Sequence, residues 1–287
     1  MRIASRLGRS VIVQGALCVD VENASGGVFS HHIDDLYQNW PGFVEWARAS
    51  APAPDQPFAV SELDAPAQRP RQVFAIGLNY VDHAAESGVT VPSSATVFTK
   101  FPTWLVGPTA TIELPSTQVD WEVELVAVIG RTADRVSEAD AWNYVAGLTV
   151  GQDISERAVQ LAGPVPQFSL GKSYRTFGPI GPVLVTPDEL ERRDDLELQC
   201  SVAGRVLQKG RTGQMVFSVS QLIAQISQVC PMLPGDVLFT GTPPGVGMAR
   251  KPQEFLQPGT TLISEIEGIG RLVNPVVAGG DYPQPAE

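Results

Sequence analysis

The chain has 287 residues, 31 of them acidic and 20 basic, for a formal net charge of −11. That balance disfavours non-specific binding to nucleic acid or anionic membrane, yet it leaves room for an anionic substrate wherever a metal or a few basic side chains reverse the local field. With 43% hydrophobic and 18% charged residues, the composition is that of one or two folded domains. No apolar run approaches the roughly 20 residues of a membrane helix, and the N-terminus lacks the apolar core of a signal peptide. Cys18, Cys200 and Cys230 form no CxxC pair, which fits a reduced, cytoplasmic setting.

Residues 1–70 read as a small α+β unit. Ser10 to Asp20 has the β-branched content of a strand, Gly26-Gly27 marks a turn, and Asp34 to Ala49 carries Leu36, Trp40, Phe43, Val44 and Trp46 at helical spacing. Proline-rich breaks over Ala51 to Pro57 and Pro66 to Pro70 separate this unit from a second one, residues 71–287. There, short strand-like runs (Val73 to Gly77, Glu124 to Gly130, Val183 to Thr186, Glu197 to Val202, Asp236 to Thr240, Thr260 to Ile266) alternate with turns. The helical candidates are Ser137 to Asn143 and Ser218 to Gln228, the latter with Val219, Leu222, Ile223 and Ile226 on one face. This spacing favours a β-rich α+β domain over repeated βαβ units.

The run Val119 to Gly130 is the most informative. Side chains alternate along a strand, so Asp120, Glu122, Glu124, Val126 and Val128 fall on one face and Trp121, Val123, Leu125, Ala127 and Ile129 on the other. Carboxylates sharing a buried face repel one another and lose their hydration. Either a hard divalent cation neutralises them, or this is an edge strand whose acidic face meets water. Other segments carry similar pairs of readings. His83 and Glu86 share a helical face at i and i+3: a base oriented by a carboxylate, or a solvated helix start. Asp153, two residues before Ser155, reads as a helix cap, and the helix after it would bring Arg157 and Gln160 to one side, where they could bind a carboxylate and a carbonyl. Lys172 lies in Gly-Lys-Ser, but Pro166 stands where a phosphate loop needs glycine. The glycine-dense loop Thr240 to Gly247 is either a bare turn or a set of backbone donors for an anion or oxyanion.

In order, Ile76 to Glu86, Trp121 to Gly130, Gly151 to Arg157, Gly171 to Pro182, Met215 to Ser227 and Pro234 to Gly247 resemble the fumarylacetoacetate hydrolase family, in its prokaryotic two-domain form. The resemblance covers about residues 72–275. It implies a mixed β-roll catalytic domain preceded by a small N-terminal α+β domain, usually as a homodimer. It further implies that Glu122, Glu124 and Asp153 hold Mg²⁺ (Mn²⁺ or Ca²⁺ being the alternatives), and that His83 and Glu86 activate water on a lid segment. Lys172 would neutralise developing charge, while Arg157, Gln160 and Thr242 would hold the acid of a 2-oxo or diketo acid substrate. The implied reaction is hydrolysis of a C–C bond in an acylpyruvate. Decarboxylation of an oxaloacetate-type acid, keto–enol isomerisation and hydration of a 2-oxo-alkenoate are alternatives on the same metal site. Two positions depart from the family pattern: Ala158 where Asp often follows the arginine, and Gly178 where many members carry cysteine.

Overall fold

The computed structural model describes residues 1–86, 88 and 90–280. Its main sheet runs, in order, through Gln56–Pro57, Leu17–Asp20, Arg9–Gln14, Arg2–Arg6, Gly178–Val185, Val145–Gln152, Val123–Ile129, Val237–Phe239, Val73–Gly77 and Thr96–Thr99. A second sheet orders Arg205–Arg211, Glu197–Val202, Thr261–Ile266, Gly270–Ala278 and Ile112–Leu114. The architecture is mixed α+β, and the antiparallel and parallel pairings within one sheet make it a β-roll rather than a doubly wound fold.

The strand Val123–Ile129 is central, flanked by Val145–Gln152 and Val237–Phe239, and every residue in it is buried. An acidic edge strand facing water is therefore excluded. The run Val119 to Gly130 is not one continuous strand: Val119–Asp120 pairs with Ser155–Glu156, Trp121 and Glu122 lie between the strands, and the alternation holds from Val123 to Ile129. Val123, Leu125, Ala127 and Ile129 join Leu198, Leu262 and Leu272 in one core. Val126 and Val128 join Ile3, Phe43 and Phe239 in another.

The N-terminal segment is more finely divided than its composition suggests. Ser10 to Asp20 is not one strand, because Gly15, at φ +60°, turns the chain between Arg9–Gln14 and Leu17–Asp20. The helical run Asp34 to Ala49 breaks at Asn39, whose φ of −133° is not helical, into Ile33–Gln38 and Trp40–Ser50. Pro41, lacking an N–H, is accommodated in the first turn of the second helix. Strand Arg2–Arg6 pairs with Gly178–Val185, with Arg2 opposite Val185, so residues on either side of position 70 share a sheet. Ser218 caps Val219–Ser227 in a reciprocal box with Gln221, and Ser137 caps the 3₁₀ turn Glu138–Tyr144.

Gly151 lies opposite Glu124 in the central ladder, and a Cβ there would overlap Val126 and Phe239. Gly151→Ala is expected to lower stability by about 1–3 kcal/mol through overpacking, read as a fall in the denaturant midpoint. An unchanged midpoint would show that the ladder relaxes freely at this point.

Candidate active site

Three acidic side chains converge where the central ladder ends. Val123 is registered with Gln152, so Asp153, the next residue along, lies beside Glu122, and the Asp153 N–H donates to the Glu122 carbonyl at 2.9 Å. The Gln152 side chain accepts the Glu122 N–H at 2.9 Å and donates to the Ser264 hydroxyl at 2.8 Å, tying the cluster to the second sheet. One carboxylate oxygen each from Glu122, Glu124 and Asp153 lies within 4.8 Å of the others. All three residues are buried.

Two ammonium groups sit among these carboxylates. Lys172 donates to Glu122 at 2.7 Å, to Asp153 at 2.6 Å and to the Ser155 hydroxyl at 2.9 Å. Lys100, which the sequence reading does not single out, donates to the other Asp153 oxygen at 2.6 Å and to the backbone carbonyls of Lys172 and Phe177. Arg157 makes two bonds to Asp120 Oδ2, at 2.9 and 2.8 Å, one to Glu122 at 2.7 Å and one to Gln160 Oε1 at 2.8 Å. Four of its five N–H groups are thus committed to protein acceptors. Asp153 is no helix cap, since Glu156 accepts the Val159 N–H and caps Arg157–Gln160.

The charges set the titration behaviour. Burial pushes the Glu122 carboxyl up, but Lys172, Arg157 and His83 together overcome it and hold Glu122 at about 2. Glu124 goes the other way: burial, then repulsion from Asp153 and Glu122, hold it well above the usual carboxylate range. Burial disfavours the Lys172 ammonium, yet Asp153 and Glu122 more than reverse this and raise it. For Lys100 burial prevails and the group is lowered. The three clustered carboxylates and Asp120 face Lys100, Lys172 and Arg157, so one negative charge is uncompensated when all are ionised. The Tyr80 hydroxyl is buried with no hydrogen-bond partner among the described residues, and Glu124 adds to burial in raising it. An all-oxygen donor set with residual negative charge fits a hard divalent cation.

The glycine loop meets protein anions. Gly241 N–H donates to Glu124 at 2.7 Å, Gly247 N–H to Asp120 at 2.7 Å, and Gly245 N–H to both oxygens of Glu86 at 3.0 and 2.9 Å. Gly245 has a φ of +108° and a Cβ there would strike the Leu207 carbonyl, so a side chain is sterically barred. The Thr242 hydroxyl donates to the Val123 carbonyl at 2.9 Å and accepts from Gln208 at 2.7 Å. On the helix Val81–Glu86, His83 is buried with Nδ1 2.8 Å from Glu86 Oε1. A carboxylate can only accept, so Nδ1 carries the hydrogen and Nε2 is the basic nitrogen.

These groups line one cavity of about 260 Å³. His83, Glu122, Glu124, Arg157, Gln160 and Lys172 form its polar part, with Thr242 beside them, and Ile76, Phe98, Leu161, Phe168 and Met248 form its apolar part. The structure brings all of the expected site residues together: Asp153 and Glu86 bind lining groups from just behind the cavity wall. The sequence reading misses Lys100, Gln152 and Gln208. Only the apolar neighbours of Lys100 (Val97, Phe98 and Phe101) hint that it is buried. Asp120, read from the sequence as sharing a face with Glu122 and Glu124, lies outside the carboxylate cluster and anchors Arg157 and the loop.

Residues 72–277 match the family model for the C-terminal domain of fumarylacetoacetate (FAA) hydrolase, and the chain belongs to the fumarylacetoacetate hydrolase family. Among its relatives, the human mitochondrial oxaloacetate tautomerase FAHD2A is 46% identical over 215 residues, 74% of this chain and 68% of that one. A solved structure from Mycobacterium smegmatis is 51% identical, covers 97% of this chain and 99% of its own, and superposes with a TM-score of 0.93. Maleylpyruvate hydrolase from Sphingobium sp. SYK-6, solved with manganese(II) and pyruvate, is 26% identical at a TM-score of 0.80, covering 97% and 100% of the two chains.

Lys100→Met would leave a buried Asp153 oxygen and two carbonyls without their donor. The expected loss is about 3–5 kcal/mol, measured by denaturant unfolding without added metal. A loss below about 1 kcal/mol would mean that water replaces the ammonium.

Proposed function

We propose that this chain is a divalent-metal-dependent enzyme that interconverts the keto and enol forms of 2-oxo acids activated at C3 by a second carbonyl. The observation that carries this reading is a single cavity uniting the Glu122–Glu124–Asp153 cluster with a histidine whose tautomer Glu86 fixes. A cation held by those three carboxylates would supply Lewis-acid stabilisation of negative charge on the substrate's oxygens. In the keto-to-enol direction His83 Nε2 takes the C3 proton and delivers one to the C2 oxygen; in the reverse direction it takes the enol proton and delivers one to C3. Glu86 stabilises the imidazolium in between. The Lys172 ammonium adds positive charge where the enolate forms. Gln160 gives its Oε1 to Arg157, so its amide nitrogen is the end that donates to a substrate carboxylate. Arg157, largely committed to Asp120 and Glu122, orients the glutamate and contributes at most one N–H to substrate.

C–C hydrolysis, which the sequence resemblance puts first, becomes the second reading. It needs donors for a tetrahedral oxyanion, and the N–H groups of Gly241, Gly245 and Gly247 are already given to protein carboxylates. The Thr242 hydroxyl hydrogen is likewise bound to a backbone carbonyl. Proton transfer needs no such hole, and the tautomerase named among the relatives supports the same choice. Hydrolysis keeps the support of the His83–Glu86 pair, which suits water activation, and of the maleylpyruvate hydrolase likeness. Mg²⁺ as the cation, a homodimer and a cytoplasmic setting belong to the same proposal; no helix among the described residues is long and apolar enough to cross a membrane.

With Mg²⁺ or Mn²⁺ present, the protein is expected to accelerate the decay of enol-oxaloacetate absorbance. His83→Ala should retain metal binding and lose about 10²- to 10⁴-fold in rate. Formation of two acids from an acylpyruvate, with no effect on the enol, would select hydrolysis instead. Metal at 100 times its Kd should stabilise the fold by about 2.7 kcal/mol, read as a rise in Tm that Glu124→Ala abolishes. A metal-free Glu124→Ala protein with full activity would remove the metal from the mechanism.

A further inference from the structure

The cavity lining combines charged side chains with an apolar surface. Its cations, Arg157 and Lys172, are both consumed by protein anions: Arg157 by Asp120 and Glu122, Lys172 by Glu122 and Asp153. The apolar part of the described lining is Ile76, Phe98, Leu161, Phe168 and Met248. Phe98 and Phe168 pack edge to face, with centroids 5.5 Å apart and planes at 72°. Phe98 also adjoins the polar side, its ring centroid lying 5.3 Å from Lys172 Nζ. A substrate whose 2-oxo acid head lies at Lys172 therefore has the Phe98 ring beside it and Phe168 next to that ring.

We infer that the Phe98–Phe168 pair, with Leu161 at the rim, selects substrates whose group beyond C3 is uncharged and apolar, a short alkyl or an aryl acyl arm, over those ending in a second carboxylate. The inference rests on the reading of this site as one for 2-oxo acids and narrows it. A carboxylate on the aromatic wall would lose its hydration, and the nearest described cation, Lys172, is already bonded to Glu122 and Asp153. An apolar arm loses nothing polar and buries its surface on the rings. The volume of about 260 Å³ sits just under the usual range for drug-sized ligands, so the arm is of modest length. Oxaloacetate, with its second carboxylate, is then the poorer of two substrate types for this chain.

Unreactive analogues separate this inference from the reading beneath it. N-benzyloxamate and N-carboxymethyloxamate share the 2-oxo acid head and differ only in the arm. Titrated calorimetrically into Mg²⁺-loaded protein, the benzyl compound is expected to bind at least 10-fold tighter. Phe168→Ala should erase most of that preference and leave carboxymethyl binding unchanged. Leu161 is 45% exposed, so Leu161→Arg places a guanidinium at the rim without burying it. That variant should tighten the carboxymethyl compound about 10-fold while Mg²⁺ affinity stays the same. Equal binding of the two oxamates by the unmodified protein, or tighter binding of the carboxymethyl one, would overturn the selectivity alone. Binding of neither, with Mg²⁺ still bound, would overturn the 2-oxo acid reading and this inference with it.

Discussion

Repulsion among Glu122, Glu124 and Asp153 is the constraint to which the rest of the site answers. Three carboxylates within 4.8 Å of one another cannot be buried without compensation. The fold answers with Lys172 and Lys100 on Asp153, with Arg157 and Lys172 on Glu122, and with a backbone N–H on Glu124. The compensation is uneven. Glu122, flanked by two cations, stays ionised, and Glu124, with none bonded to it, is held toward its neutral form. The position least compensated is the one at which a further cation has most to offer.

The glycine loop is part of the same answer. Loops of this kind present N–H groups to anions, and here the acceptors are built into the protein: the carboxyl groups of Glu124, Glu86 and Asp120 each take one glycine donor. One turn thereby links the carboxylate cluster, the helix carrying His83 and the acid that orients Arg157. The consequence for chemistry is selective: a site whose loop donors are occupied suits proton transfer better than formation of a tetrahedral oxyanion.

Much of the fold was legible because it rests on local periodicity. The two-residue alternation from Val123 to Ile129 reappears as two distinct cores, and the apolar face of Val219, Leu222, Ile223 and Ile226 reappears as the buried side of a helix. The errors occur where single residues interrupt an apolar pattern. Gly15 divides one apparent strand and Asn39 one apparent helix, because backbone dihedrals at such points override the periodicity of the flanking side chains. Asp153 looked like a cap, since a short Asp-x-Ser signature does not distinguish a carboxylate bonded to backbone N–H from one bonded to a lysine distant in sequence.

The sequence by itself determined that two glutamates stand two residues apart in an apolar run, that His83 and Glu86 share a helical turn, and that these and Asp153 occur in the order of one family. Those relations hold between residues a few positions apart, where chain geometry is nearly rigid. Only the tertiary structure decided that the strand is central, that Lys100 neutralises Asp153 from 53 positions away, and that Phe98 and Phe168 pack together in the cavity wall. These contacts join segments remote in the chain. No spacing rule encodes which lysine reaches which carboxylate, because that choice is made by the register of strands packed against one another.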